Sequence, residues 1–222
     1  MSGYIKKLIS EGESLHLDFK YCISDSRKIA RTLAAFANTE GGVILIGVRD
    51  NGSIAGIRSD EEIYMVETAV HLFCSPEIKY TIRQHDYAGK TLVEVQVEEG
   101  SEKPYRVRDE KGKWLAYFRH EDQNLLANRV ILQIWKKEKK KTGVLVKFGK
   151  AEKILFGQLT ENNHITLQEF RRLAGISPWR AESILANLAI LKIISVIPSE
   201  KGFSYELNHD ALRDLEESYS AL

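Results

Sequence analysis

Several groups of residues in this chain have the types and spacing to meet a phosphate backbone. Lys103, Arg106, Arg108, Lys111, Lys113 and Arg119 fall on neighbouring predicted strands, where Arg106 and Arg108 alternate to one face and Tyr105 stands close by for stacking. Such a patch neutralises phosphates and releases counterions. Asp109 and Glu110 interrupt it, so a solvated charged face is the competing account. Further along, a predicted helix starting at Ser177-Pro178 exposes Trp179, Arg180, Glu182, Ser183 and Asn187. Arg180 and Asn187 carry the donors and acceptors that read base edges. Arg171 and Arg172 on the preceding helix, and Lys201 in a predicted turn, can hold backbone phosphates. The run Lys136-Lys137-Glu138-Lys139-Lys140-Lys141 is either a phosphate-contacting linker or a solubilising helix end.

Other chemistries find less support. A nucleoside-triphosphate loop needs Gly-x-x-x-x-Gly-Lys-[Ser/Thr] between a strand and a helix. Gly89-Lys90-Thr91 supplies its end, but Gln84 stands at the first glycine position and predicted strands flank the segment on both sides. Gly41-Gly42 lacks the following lysine, and its glycines suit the end of a helix and the start of a strand. Asn38 just before them either caps that helix or reaches a ligand. His71-x-x-Cys74 is half a metal site at most. With Cys22 and Cys74 as the only cysteines, a disulfide scaffold and a four-cysteine zinc site are excluded.

The chain has 222 residues, 43% of them apolar, with 32 Lys and Arg against 31 Asp and Glu for a formal charge of +1. This length suits one large or two small domains, and the balance of charge gives no global basic field. The longest apolar run, Val43-Ile44-Leu45-Ile46-Gly47-Val48, is far short of a membrane span. The first ten residues carry charge but no apolar stretch of the kind a secretion signal needs, so a soluble cytoplasmic protein is expected.

Periodicity supplies the elements that must position these residues. Ile5, Leu8 and Ile9 have helical spacing up to Gly12. Leu15-His16-Leu17-Asp18-Phe19-Lys20 alternates as a strand, placing His16, Asp18 and Lys20 on one face. Ser24 or Asp25 can cap a helix through Ile29, Leu33, Phe36 and Ala37, with Ala30, Ala34 and Ala35 allowing close approach to a sheet. Residues 43–48 read as a buried central strand, and Asp50-Asn51-Gly52-Ser53 as a hairpin turn. A helix through Ile63, Val66, Val70 and Phe73 precedes strands at 78–87, 91–97, 105–108 and 114–119. Asn124 is placed to cap a helix carrying Leu126, Val130, Ile131 and Ile134. Beyond the lysine run come helices at 150–159, from Thr166 to Gly175, and from Ser177 through Leu191. A hairpin at 193–207 and a closing helix at 210–219 complete the pattern. Three helices followed by a two-stranded wing is the winged helix-turn-helix order.

Glu13-Ser-Leu-His-Leu-Asp18-Phe19-Lys20 and Ala34-Ala-Phe-Ala-Asn38-Thr-Glu-Gly41-Gly42-Val-Ile-Leu-Ile-Gly47-Val-Arg-Asp50-Asn-Gly52 carry a resemblance. Together with Pro104-Tyr-Arg-Val-Arg108 and Tyr117-Phe118-Arg119, they make about residues 11–134 similar to the Schlafen AlbA_2 family. Bacterial members often add a C-terminal winged helix, and many carry the label of transcriptional regulator or divergent ATP-binding protein. The resemblance also implies a nuclease alternative, in which carboxylates at Glu13, Asp18 and Asp50 hold a divalent ion, Mg²⁺ or Mn²⁺, that activates water. Lys20, on the strand face of Asp18, would then contact a phosphate or stabilise developing charge. Asp18 stands where the family pattern usually has Glu, a side chain longer by one methylene. The competing account has Asp50 shaping a turn, Asp18 paired with Lys20, and Glu13 in solvent.

The expected fold class is therefore α/β (α+β), a Schlafen AlbA_2-like mixed sheet with packed helices over 1–141, followed by a smaller winged-helix domain over 142–222. The leading functional expectation is a DNA-binding transcriptional regulator that needs no cofactor. A metal-dependent ribonuclease acting on structured RNA and a winged-helix dimerisation adaptor are the alternatives. Residues 142–222 hold 9 Lys and Arg against 10 Asp and Glu, so tight DNA binding is expected to need a homodimer.

Overall fold

The computed structural model describes residues 3–140, 143–199, 202–210 and 213. The chain divides into two compact units, residues 1–127 and 128–222.

The first unit is a mixed α/β assembly built around one helix. Helix α1 (Gly3–Glu11) leads into strand β1 (Leu17–Lys20), helix α2 (Ser26–Asn38) and strand β2 (Gly42–Ile46). Helix α3 (Glu61–Thr68) continues as one π-helical turn over Ala69–Phe73. Strands β3 (Cys74–Ser75), β4 (Tyr80–Tyr87), β5 (Lys90–Val97), β6 (Arg106–Arg108), β7 (Trp114–His120) and β8 (Gln123–Leu126) follow. They form two four-stranded sheets, ordered β1-β2-β5-β4 and β3-β6-β7-β8. Strands β1 and β2 are parallel, joined through α2, and β2 runs centrally beside β5 as its apolar composition predicts.

Strand alternation sends each face of the first sheet to a different core. Leu17, Phe19, Leu45 and Leu92 pack against Ile5 of α1. Ile44, Ile46, Val93 and Val95 pack against Ile29, Leu33 and Phe36 of α2, in a cluster that also takes Cys74 and Val107 from the second sheet. Helix α2 thus lies between two sheets. Its start is fixed by Asp25, whose carboxylate accepts from the Arg27 amide at 2.8 Å. Its close seat on β2 depends on Gly42, where an added Cβ would meet the Phe36 ring at 2.4 Å.

Two expectations change in this unit. The hairpin expected after Asp50-Asn51-Gly52-Ser53 is reduced to a single bridge between Val48 and Ile54. The segment around Asn124 is strand β8, paired with β7 through Arg119 and Asn124, and not the start of a helix. The helix begins instead at α4 (Arg129–Lys139), capped by Asn128, whose carbonyl oxygen accepts from the Ile131 amide at 2.9 Å.

The helix that the sequence attached to the first domain packs with the second unit. That unit contains α4, α5 (Lys150–Asn162), β9 (His164–Thr166), α6 (Leu167–Ala174), α7 (Pro178–Ile190), β10 (Ile194–Ser199) and β11 (Gly202–Leu207). Thr166 and Glu169 exchange the two bonds of a capping box, and Ser177 caps α7 ahead of Pro178. The three strands form one antiparallel sheet, ordered β10-β11-β9. Val130, Leu155, Phe170, Leu185 and Tyr205 lie in one buried cluster. The closing helix expected at 210–219 falls almost wholly outside the described residues.

Candidate nucleic-acid interface

Strand β1 turns Asp18 away from Leu17 and Phe19 and toward the second sheet, where Arg119 of β7 meets it. Arg119 Nη1 lies 3.1 Å from Asp18 Oδ1 and donates at 3.1 Å to Asn124 Oδ1. Its Nη2 donates to the carbonyls of Ser14 and Leu17, both at 3.1 Å, and its Nε donates to Ser14 at 3.3 Å. A guanidinium has five N–H donors, and these contacts use all of them. The same group sits 5.0 Å over the Phe36 ring. Arg119 is an interior cross-link and not part of a phosphate-binding patch, because a fully spent, buried guanidinium has nothing to offer a ligand.

The acidic residues are also committed. Asp18 Oδ2 lies 2.5 Å from Lys20 Nζ, which donates to the Phe19 carbonyl at 2.8 Å. Glu13 Oε1 accepts from the Phe19 amide at 2.8 Å, closing the loop before β1. Asp50 is exposed in the turn after β2. Among the described residues no group of three or more His, Cys, Asp and Glu is placed to hold a metal ion. Glu13, Asp18 and Asp50 therefore do not form the ligand set that the resemblance implied. Asp18 serves two cations, and Glu13 serves a backbone amide.

The surface of β6 and β7 divides the basic patch. Arg106, Arg108, Lys111 and Lys113 are exposed, whereas Lys103 turns inward to the Thr39 carbonyl and to Glu99. Tyr105 is buried at 6% exposure, so it cannot stack on a base. Its backbone is held by Asn38, whose Oδ1 accepts from the Tyr105 amide at 2.7 Å and whose Nδ2 donates to the Tyr105 and Tyr117 carbonyls. Asn38 is thus a buried strut. The aromatic residue that does accompany the arginines is Trp114, paired with Arg108 in register and exposed. Directly opposed residues share a face of an antiparallel pair, so this neighbour follows once the hairpin register is known. Asp109 Oδ1 is taken up by the Lys111 and Lys113 amides at 2.9 and 2.7 Å.

In the second unit, Arg171 and Arg172 lie exposed in the last turn of α6, and Trp179 and Arg180 in the first turn of α7. Gly175, left-handed at φ 62°, ends α6 and permits the short turn between the two helices. Glu182 and Asn187 depart from expectation. Glu182 is buried, accepting from Gln133 at 3.2 Å with Arg129 3.7 Å away. Asn187 accepts from Lys137, which also donates to Ser183 Oγ at 3.0 Å. Asn187 thereby holds a lysine of α4 instead of presenting its amide to a base edge. Burial lowers the Lys137 ammonium from its ordinary pKa. Lys201 lies outside the described residues. A cavity of about 230 Å³ opens beside α7, lined by Val146, Lys147, Trp179, Arg180, Ile184 and Asn187 among others.

The profile of the family described as Schlafen, AlbA_2 matches residues 13–128, more than half of the 222. The chain belongs to the Schlafen AlbA_2 family. The matched segment opens at Glu13 and closes at Asn128, so the AlbA_2 region nearly coincides with the first compact unit. Solved structures similar to this Schlafen AlbA_2 chain include the N-terminal domain of a RecG-related protein from Nitrosomonas europaea. It is 23% identical with a TM-score of 0.41, over 56% of this chain and 94% of that one. A Corynebacterium diphtheriae protein is 13% identical with a TM-score of 0.47, over 92% of this chain and 38% of that one. No helix among the described residues of the AlbA_2 chain is long and apolar enough to cross a membrane.

Proposed function

We propose that this chain is a nucleic-acid-binding protein that docks on duplex DNA through its second unit, in the manner of a transcriptional regulator. In this reading α5, α6 and α7 with the β10–β11 hairpin act as a winged helix, and α6-turn-α7 is its helix-turn-helix. The observation that carries the reading is the exposed basic and aromatic edge made by Arg171, Arg172, Trp179 and Arg180 across that turn. The N-terminal residues of the second helix in such a motif reach base edges, while basic residues nearby hold phosphates. The exposed Arg106, Arg108, Lys111 and Lys113 of the first unit add a second set of cations.

The test is fluorescence anisotropy of the full chain with a labelled duplex at low and moderate salt. The expected result is salt-dependent binding that the combined Arg171→Ala and Arg180→Ala variant weakens at least about tenfold. Undiminished binding by that variant, or no binding at low salt, discards the reading. Because residues 142–222 are close to neutral in charge, tight binding is expected to need two copies, so affinity should rise with oligomerisation in sedimentation experiments.

A further inference from the structure

Tyr21, Arg49 and Arg58 come from three separate segments and meet at the carboxyl ends of the parallel strands β1 and β2. Tyr21 follows the last residue of β1, Arg49 follows β2, and Arg58 precedes α3. The Arg49 guanidinium lies 4.9 Å from the centroid of the Tyr21 ring and that of Arg58 lies 5.5 Å from it. Arg58 Nη2 also donates to the Tyr21 hydroxyl at 3.3 Å. All three side chains are exposed.

Backbone bonds hold the three segments together. The Lys20 carbonyl accepts from the Gly47 amide at 2.8 Å, and the Gly47 carbonyl accepts from Ala55 and Gly56 at 2.8 and 2.9 Å. Gly47, at φ 93°, approaches Gly56 so closely that a Cβ on it would meet the Gly56 carbonyl carbon at 2.9 Å. The Ile57 amide donates to Thr91 of β5 at 2.8 Å. The buried Glu62 carboxylate accepts from the Arg58 and Ser59 amides at 3.3 and 3.2 Å. The same carboxylate also favours the Arg58 cation electrostatically, from beyond salt-bridge distance.

Two guanidiniums gathered on one ring repel each other unless an anion lies between them. Among the described residues no carboxylate oxygen comes within 4.0 Å of either guanidinium. Arg58 lowers the Tyr21 hydroxyl below its ordinary pKa, chiefly through their hydrogen bond, which marks the local field as positive. Arginine forks match phosphate oxygens in planar, two-point geometry, and open α/β sheets bind ligands at the carboxyl ends of their strands.

We propose that Tyr21, Arg49 and Arg58 form a phosphate-binding subsite that takes the phosphate of a nucleotide, independently of the duplex interface proposed for the second unit. The phosphate would come either from a single strand or from a free nucleotide. The experiment is titration of the full chain with two probes, a labelled nine-nucleotide single strand and a nucleoside triphosphate. Wild type is compared with Arg49→Gln combined with Arg58→Gln, and with Arg171→Ala combined with Arg180→Ala. The first double variant should lose about tenfold in affinity for whichever probe supplies the phosphate, and its thermal midpoint should match wild type because the residues are exposed. If the source is the strand, the slope of log K against log salt should fall by roughly 1.4, about 0.7 per lost contact. The paired lysine replacements, which keep charge but lose the fork, should fall between. The second-unit variant should bind these probes as wild type does, even if it also leaves duplex binding unaltered and thereby discards the helix-turn-helix reading. Equal binding of both probes by wild type and the Arg49, Arg58 variant, or no binding of either probe by wild type, overturns the subsite.

Discussion

Arg119 Nη1 stands 3.1 Å from Asp18 Oδ1, with the two residues 2% and 3% exposed, and the pair links a strand of each sheet across the first unit. A buried pair of this kind becomes costly when one member is removed, and without Arg119 the buried Asp18 keeps only the partly exposed Lys20 while the Ser14 and Leu17 carbonyls lose their donor. Arg119→Met is therefore expected to lower stability by about 3–5 kcal/mol in urea unfolding. Adding Asp18→Leu to it should restore much of the loss, since apolar residues of similar volume often replace a buried pair at little cost. A double variant as unstable as the single one would contradict this account.

Asn38 makes three hydrogen bonds to the backbone around β6 and β7 while itself buried. Asn38→Ala leaves the Tyr105 amide without its acceptor and opens space beneath α2. The expected loss is about 2–4 kcal/mol, read from the shift in urea midpoint at constant slope. Asn38→Asp should be at least as damaging, because it replaces two donated bonds by a buried negative charge. A shift near zero for Asn38→Ala would remove its role as a strut.

Burial pushes the Cys74 thiol up to about 12 from an ordinary value of 9.0, and the Tyr205 hydroxyl up to about 12 from 10.0. In both, the folded state holds its proton more tightly than the unfolded one. Their contributions are therefore complete below the unfolded values and decline as pH rises above them. Stability of the first unit should begin to fall above about pH 9 and that of the second above about pH 10, each with a limiting slope near 1.4 kcal/mol per pH unit. Cys74→Ala and Tyr205→Phe should each flatten the corresponding decline in thermal unfolding measured between pH 8 and 11, and unchanged slopes would refute the assignment. At pH 8, alkylation followed by peptide mass analysis should find Cys74 unmodified until the chain is unfolded.

Asn187 and Arg180 sit on the same helix with different duties. Asn187 holds Lys137, whereas Arg180 is exposed at the helix start. Asn187→Ala should cost stability, roughly 1–2 kcal/mol, and leave the duplex affinity of the folded protein almost intact. Arg180→Ala should do the reverse. Thermal unfolding and anisotropy on the same two variants decide it, and a large affinity loss in Asn187→Ala would return that residue to the interface.

Much of the fold was legible because its signals are local. The period of Ile29, Leu33, Phe36 and Ala37, the Asp25 cap and the Thr166-to-Glu169 box each settle an element within a few residues. Strand β8 was not legible, because the turn joining it to β7 is Glu121-Asp122, with Glu121 left-handed at φ 52° and no glycine to announce it. Strands β3 and β9, of two and three residues, are too short to show a period. The site residues separated along the same line. Arg106 and Arg108 flank the inward Val107, so alternation alone puts them outside. Burial along β7 does not follow parity, since Ala116 on the face of exposed Trp114 is buried as Arg119 is, so alternation could not show that Arg119 turns inward. Its role as partner to Asp18 depends on a contact 101 positions away in sequence, which no local pattern records.

Helix α2 buries nine of its thirteen residues between two sheets. A layer in that position cannot fray by itself or be shed while its neighbours persist. Its amides should exchange with deuterium only when the whole first unit opens, at a rate set by global unfolding and with the same denaturant dependence as the unit. The first unit should consequently behave as a single cooperative block, and the exposed side chains it carries, Arg49, Arg58 and Lys111 included, can be replaced without loosening the scaffold that holds them.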